Sequence, residues 1–336
     1  MKNKTKHTYI IAEAGVNHNG NFQLAKQLVD AAAESGADCI KFQTFVPENI
    51  VSRYAEKSDY QKRNTESSES QLSMLQKLTL TSEDFYKLAE YAAFKKIDFC
   101  STAFDDISIQ LIHELKCKFW KIPSGEVTNL PYLLKIAQYN EPIMMSTGMC
   151  NMKEIADAVK IIREITNAPL ILLHCNTEYP TPFEDVNLSA MRTLNQKFHC
   201  PVGYSDHTTG IEVPIAATAL GAAVIEKHFT LDRNLPGPDH KASLEPGQLC
   251  EMVKAIRNID SAIGNGEKIL QKSEKKNINI VRKSIVAKKR IKKGEILTED
   301  NITTKRPGNG ISPMRWNEVL GLNAVKDFEA DEMIEV

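Results

Sequence analysis

Eight times between residues 9 and 229 the sequence sets a short apolar, β-branched run before a longer amphipathic stretch. No other feature limits the fold as much. The runs occupy 9–14, 39–44, 98–103, 118–123, 142–147, 170–175, 202–205 and 223–229. Each is apolar enough to be buried on both faces, as parallel strands are. The stretches between them have helical spacing. Leu24, Leu28, Val29 and Ala32 share one face before Ser35-Gly36, and Ile155, Ala158, Val159, Ile162 and Ile165 do so in the fifth connection. Eight such units predict an α/β chain folded as a (β/α)₈ TIM barrel. A doubly wound open sheet is the runner-up, but the G-x-G-x-x-G turn expected after its first strand is missing.

The rhythm breaks near residue 270. Beyond it come short alternating strands, a Lys-Lys-Gly turn and a Pro-Gly-Asn-Gly loop. The expected division is a barrel over 1–270, a polar linker over 271–280 and a small, mostly β domain over 281–336. A domain that small has a thin core and is expected to lean on another surface. Within the barrel, the connection over 49–80 is long and polar, which marks a functional lid or a partly disordered segment.

Composition removes several function classes. The 42 basic and 43 acidic residues nearly cancel, so no net field draws the chain to nucleic acid or to a membrane surface. Ten Lys or Arg residues from Lys272 to Lys293 are the local exception. No aromatics are interleaved among them, so they read as a solvated linker and surface. The longest apolar runs, such as 215–225, fall short of a membrane span. The basic N-terminus carries Glu13 in its short apolar stretch and makes a poor signal peptide. Seven scattered cysteines without C-x-x-C fit reduced thiols in the cytoplasm.

In a (β/α)₈ enzyme the reacting groups sit at the C-terminal ends of the strands. Here those ends are polar: Glu13 after strand 1, Lys41 and Gln43 on strand 2, Thr102, then Lys121, Ser124 and Glu126. Further on come Ser146, His174, Asn176, Glu178, Tyr179, Ser205, Asp206, His207, Glu226 and His228. Lys41 and Lys121 lie within buried strands, where an unpaired ammonium is costly. Either they pair with protein carboxylates or they hold an anionic ligand, and the nearby hydroxyls of Thr102, Ser124 and Ser205 favour the ligand. His207 and His228 end neighbouring strands, and closure of strand 8 on strand 1 brings Glu13 to the same corner. That set suits one divalent ion. His18 and His240 lie in loops near the mouth, while His7, His113 and His199 fall outside it.

The stretches IAEAGVNHNG, KFQTF, STAFD, KIPSGEVTNLPYL, STGM, LLHCNTEYPTPFEDVNL, GYSDHT, EKHFTLDRNLPGPDHKASLEP and TTKRPGNGISP occur in this order. Together they resemble the sialic acid (N-acetylneuraminate) synthase family, including its legionaminic acid synthases, over essentially the whole chain. The resemblance implies a TIM barrel followed by an antifreeze-like (SAF) domain. It implies a carbon–carbon bond-forming transferase that joins phosphoenolpyruvate, an N-acylated mannosamine-type aldose and water into a nine-carbon 2-keto acid and phosphate. It assigns a Mn²⁺ or Mg²⁺ ion to His207 and His228, and proton or water handling to Glu13. Phosphoenolpyruvate contacts fall to Lys41, Thr102, Lys121, Ser124, Thr177 and Ser205. Some relatives read Thr-Asn where this chain has Asn176-Thr177, so at that step the contact lies with one of the two. Sugar contacts fall to Gln43, Glu126, Tyr179, Asp239 and Arg306. Arg306 is expected to act in the partner's site of a domain-swapped homodimer.

N-acetylmannosamine, giving N-acetylneuraminate, is the leading acceptor on this reading. A 2,4-diacetamido-2,4,6-trideoxymannose, giving a legionaminate, is the alternative, with the 49–80 loop (Tyr60 and Gln61 in it) helping to choose. A metal-dependent hydrolase on the same barrel would need further ligands, such as His-x-His after strand 1, where His18 stands alone. An ice- or surface-binding role is opposed by the polar mouth and by the charge of the small domain.

Overall fold

The computed structural model describes residues 7–52, 54–65 and 69–336. The Tyr60 side chain lies outside what is described. The chain forms two compact units, Met1–Gly264 and Asn265–Val336.

In the first unit eight parallel strands build a near-closed barrel. They are β1 (Tyr9–Gly15), β2 (Cys39–Thr44), β3 (Asp98–Ala103), β4 (Trp120–Ile122), β5 (Ile143–Ser146), β6 (Leu170–His174), β7 (Val202–Asp206) and β8 (Val224–His228). The ladder runs β3-β2-β1-β8-β7-β6-β5-β4, so β1 and β8 are neighbours as cylindrical closure requires. The two ends of that order, β3 and β4, pack side by side. All eight expected runs are strands. The main trimming is at the fourth, where only three residues join the ladder.

Alternation sorts each strand into two faces. Ile10, Ile40, Trp120, Ile143, Leu172, Tyr204 and Ile225 point outward into the large core shared with the helices. Ile11, Cys39, Cys100, Phe119, Met144, Leu173 and Val224 point inward and plug the lower barrel. Burying a Leu or Ile contributes about 1.5–3 kcal/mol, so both layers are strong constraints on register. One step further along the inward face the residues become polar, and that change is where the site begins.

The helix Met152–Ile165 buries Ile155, Ala158, Val159 and Ile162 as its spacing predicts. Ile165 departs from the expectation: it is the last residue of the helix and is 40% exposed. The long connection after β2 holds three short helices, Pro47–Ile50, Asp59–Asn64 and Gln71–Gln76. Asn64 Nδ2 donates to Pro238 O at 2.8 Å, and Arg63 pairs with Glu178 at 3.2 Å, tying this connection to the loops after β8 and β6. Among the described residues no helix is long and apolar enough to cross a membrane.

The second unit pairs β9 (Ser284–Ala287) with β10 (Ile302–Lys305) in antiparallel register. Its small core contains Ile285, Ile291, Leu297, Ile302, Val319, Phe328 and Ile334. The segment expected as linker carries a short turn, Lys275–Asn277, and most of the helix Ile278–Val281.

Candidate active site

The inward polar positions converge on a cavity of about 220 Å³ at the C-terminal mouth of the barrel. Its lining includes Glu13, Lys41, Gln43, Thr102, Lys121, Ser124, Thr177, Tyr179, Ser205, His207 and His228, eleven of the expected site residues. The other three do not line it. Glu126 takes a hydrogen bond from Asn129 Nδ2 at 2.5 Å, beside the N-terminus of the next helix. Asp239 is buried in the loop after β8, where burial pushes its carboxyl up to about 6. Arg306 belongs to the second unit, where its exposed side chain donates from Nε to Val281 O at 3.1 Å.

The floor of the cavity is a buried network of charges. Lys41 Nζ lies 2.7 Å from Glu13 and 3.7 Å from Glu226; Lys121 Nζ lies 3.4 Å from Glu226. Lys121 also donates to Ser146 Oγ at 2.8 Å, and Ser205 Oγ to Glu226 at 2.9 Å. Both readings of the lysines therefore meet here: each has a carboxylate partner, and each faces the cavity. Lys41 sits above its usual pKa, because the two carboxylates outweigh the burial that would lower it.

The two carboxylates are driven apart. Burial raises both; for Glu226 the two lysines and Ser205 outweigh it and hold the group at about 2. Glu13 stays near 7, because burial and the neighbouring Glu226 outweigh Lys41. Two carboxyl groups held in different protonation ranges are what acid–base chemistry near neutrality needs. Sequence reasoning placed Glu226 and Ser146 at strand ends without giving them a role. The signal was present for Glu226, two residues before His228 and so on the same face.

His207 and His228 rings lie 5.4 Å apart, with the Tyr179 ring 4.1 Å from that of His207. His207 Nδ1 is held by Asn176 O, which leaves its Nε2 edge for a ligand. His228 Nδ1 is buried with no hydrogen-bond partner. Burial keeps both rings neutral, His207 at about 4 and His228 well below its usual value. Neutral rings with an unpartnered nitrogen fit a divalent cation. Among the described residues no three His, Cys, Asp or Glu side chains surround one point, so the protein would contribute two nitrogens and leave other positions to substrate and water. Asn176, whose Oδ1 caps Glu178 N at 2.7 Å, turns away from the cavity that Thr177 lines.

His174 does not face the mouth. It bonds Val186 O at 2.9 Å on the helix side of β6, one residue out of phase with Cys175. His18 and His240 are fully buried beside the site without lining it. His18 is held at about 4, chiefly by burial, with Asp84 opposing and His240 adding to the shift. An unfolded chain takes up this proton near 6.5, so the folded state loses stability as pH falls from 6.5 towards 4. The contribution is about 2 kcal/mol between pH 7 and pH 5. His18→Gln is expected to flatten that part of the profile in urea melts; an unchanged slope would count against it.

Gly148, just after β5, packs against three site groups. A Cβ there would lie 2.7 Å from Thr177 Cγ2, 2.9 Å from Ser124 Oγ and 3.0 Å from Cys175 Sγ. Its N–H donates to Ser124 Oγ at 3.0 Å. Gly148→Ala is expected to displace these groups and weaken phosphate binding about tenfold, the value of one charge-assisted hydrogen bond. Calorimetric titration with phosphate checks this, and unchanged affinity would mean that the Ser124 corner does not hold the anion.

Residues 28–268 match the model of the NeuB family, and residues 282–335 match that of the SAF domain. An N,N'-diacetyllegionaminic acid synthase of Campylobacter jejuni is 56% identical over 98% of this chain and 99% of its own length. A second protein of that name, from Legionella pneumophila, is 46% identical over 93% of this chain and 89% of its own. The crystal structure of an N-acetylneuraminic acid synthetase from Leptospira borgpetersenii in complex with citrate superposes with a TM-score of 0.71. It is 35% identical and covers 83% of this chain and 94% of that one.

Proposed function

The chain belongs to the NeuB family, and on that premise we propose that it is a nonulosonic acid synthase making N,N'-diacetyllegionaminate. Its substrates are then phosphoenolpyruvate, water and a 2,4-diacetamido-2,4,6-trideoxymannose. The observation that carries the choice of sugar is the 56% identity, nearly end to end, to a protein named for that product. The N-acetylmannosamine acceptor expected from the sequence gives way to it, since the structure named for N-acetylneuraminate is only 35% identical. The hydrolase reading falls with the family assignment.

The site residues suit this reaction. Lys41 and Lys121 offset the charge of phosphoenolpyruvate, with Thr102, Ser124, Thr177 and Ser205 supplying hydroxyl contacts. The C2=C3 π pair of phosphoenolpyruvate forms a bond from C3 to the aldehyde carbon of the open-chain sugar, whose C=O π pair moves onto oxygen and takes up a proton. Water adds at C2, the C2–O bond to phosphate breaks with its electron pair leaving on phosphate, and the C2 hydroxyl loses its proton as the ketone forms. Glu13, poised near neutrality, takes up the proton that this water loses, with Gln43 Nε2 donating to its Oε1 at 3.2 Å to hold the carboxylate in place. A Mn²⁺ or Mg²⁺ ion held by His207 and His228 supplies Lewis acidity towards the aldehyde oxygen when bound. Gln43, Glu126, Tyr179 and Asp239 are assigned to the sugar. Arg306 is assigned to an N-acyl group in the partner's cavity of a domain-swapped homodimer; its exposed, backbone-anchored side chain supports that role. Seven free thiols support a cytoplasmic location.

Phosphate release from phosphoenolpyruvate with each sugar tests the reading. The diacetamido sugar is expected to exceed N-acetylmannosamine by about 100-fold or more in kcat/KM, because unpaired polar groups in the sugar pocket penalise the wrong acceptor. EDTA is expected to abolish turnover, and added Mn²⁺ to restore it. Faster turnover of N-acetylmannosamine would return the neuraminate assignment. No release with either sugar would end the synthase reading, whereas EDTA-insensitive turnover would end only the metal assignment.

A further inference from the structure

A second charged pair stands directly behind the two imidazoles, on the other side of the barrel wall. Asp206 and Lys227 are opposite each other in the β7–β8 ladder. Both side chains are completely buried, with Lys227 Nζ 2.5 Å from Asp206 Oδ2. They face outward: their neighbours Ser205, Glu226, His207 and His228 line the cavity, and Tyr204 and Ile225 join the helix-side core. Lys227 Nζ also donates to Thr208 O at 2.5 Å. Asp206 in turn accepts from Thr208 N at 3.1 Å and from Thr208 Oγ1 at 3.0 Å. One ammonium thus fastens the turn that carries His207 to the strand that carries His228.

Stability alone does not account for this pair. Removing two charges from water costs several kcal/mol per ion, and apolar residues of similar volume commonly serve a buried position as well or better. An apolar pair, however, has no directional bonds. It would leave the 206–208 turn free to settle against β8 at a range of distances. The salt bridge and its three bonds with Thr208 fix that distance, and each partner is one residue away from an imidazole.

We infer that Lys227 and Asp206 are positioning residues that set the separation of the His207 and His228 rings and thereby the affinity of that corner for a divalent cation. The inference rests on the reading of the two imidazoles as metal ligands. It concerns residues that touch neither the ion nor the substrate, and it deepens that reading by saying what holds the ligands apart.

The test is Mn²⁺ binding to the full-length protein without substrates, read from the electron paramagnetic resonance of free Mn²⁺. The Lys227→Met/Asp206→Leu double variant removes both charges together, so no uncompensated ion is left in the core. It is expected to fold with a lower melting temperature, because buried Thr208 N, O and Oγ1 lose their partners. It is expected to keep its phosphate affinity while binding Mn²⁺ on the order of tenfold more weakly, as loss of outer support to metal ligands does. Thr208→Val keeps both charges and removes only the hydroxyl, and is expected to weaken Mn²⁺ binding in the same direction by less. A folded double variant that binds Mn²⁺ within about twofold of the parent, well short of the usual outer-support effect, overturns the inference. If the double variant does not fold, parent-like binding by Thr208→Val overturns it. A parent that binds phosphate but no Mn²⁺ overturns the ligand reading itself, a failure distinct from the first two.

Discussion

Glu226→Gln is expected to be the most damaging single substitution on the cavity floor. The carboxylate is the partner of Lys121 at 3.4 Å, the second partner of Lys41 at 3.7 Å and the acceptor for Ser205 at 2.9 Å. The amide keeps the shape but removes the charge, and leaves Lys121 buried without its carboxylate. Breaking a buried pair from one side costs about 3–5 kcal/mol, far more than a surface pair. The expected signature is a lower melting temperature in phosphate-free buffer and an unusually large recovery on adding phosphate, which would replace the missing negative charge. Turnover should remain impaired after that recovery, because the anion then competes with phosphoenolpyruvate. A variant as stable as the parent, with the parent's response to phosphate, would show that the two lysines do not depend on Glu226.

The second large effect is steric. Gly203 lies in β7 on the barrel's inner face, and a Cβ there would come within 2.4 Å of Val224 O, 2.7 Å of Leu173 Cδ2 and 2.9 Å of Val224 Cβ. The closest of these is backbone of β8, which cannot rotate aside. Gly203→Ala is therefore expected at or beyond the upper end of the usual overpacking cost, about 3 kcal/mol. It should also reduce turnover in whatever fraction folds, since β7 and β8 carry both imidazoles. Gly247→Ala is the control: a Cβ there meets nothing within 4 Å. Thermal melts of the two variants decide the point, and a Gly203→Ala protein that melts with the control would refute the argument.

The barrel was legible in the sequence because burial on both faces leaves an unmistakable run of apolar residues, and eight runs restrict the topology to very few choices. The inward face of each strand was legible for the same reason: Lys41 and Lys121 alternate with apolar neighbours. Pairing across the cavity was not. Nothing in the spacing of residues 13, 41, 121 and 226 says that two lysines will share one carboxylate, because that depends on the ladder register of separate strands. His174 ends β6 as its position in the run indicates, but strand alternation turns it to the helix side, one residue out of phase with the cavity. Loop residues such as Glu126 and Asp239 were harder still, since loops have no period to read.

The inner polar ring has one consequence for how such a protein changes its product. On the proposed reading the donor is held mainly by strand and strand-end residues, whose placement is dictated by the ladder and cannot drift without unseating the core. Most acceptor contacts lie in loops or in the second unit, which impose no register on the wall. A new acceptor can therefore be acquired by rewriting connections while the bond-forming chemistry is inherited intact. The architecture separates what must be conserved from what is free to diversify.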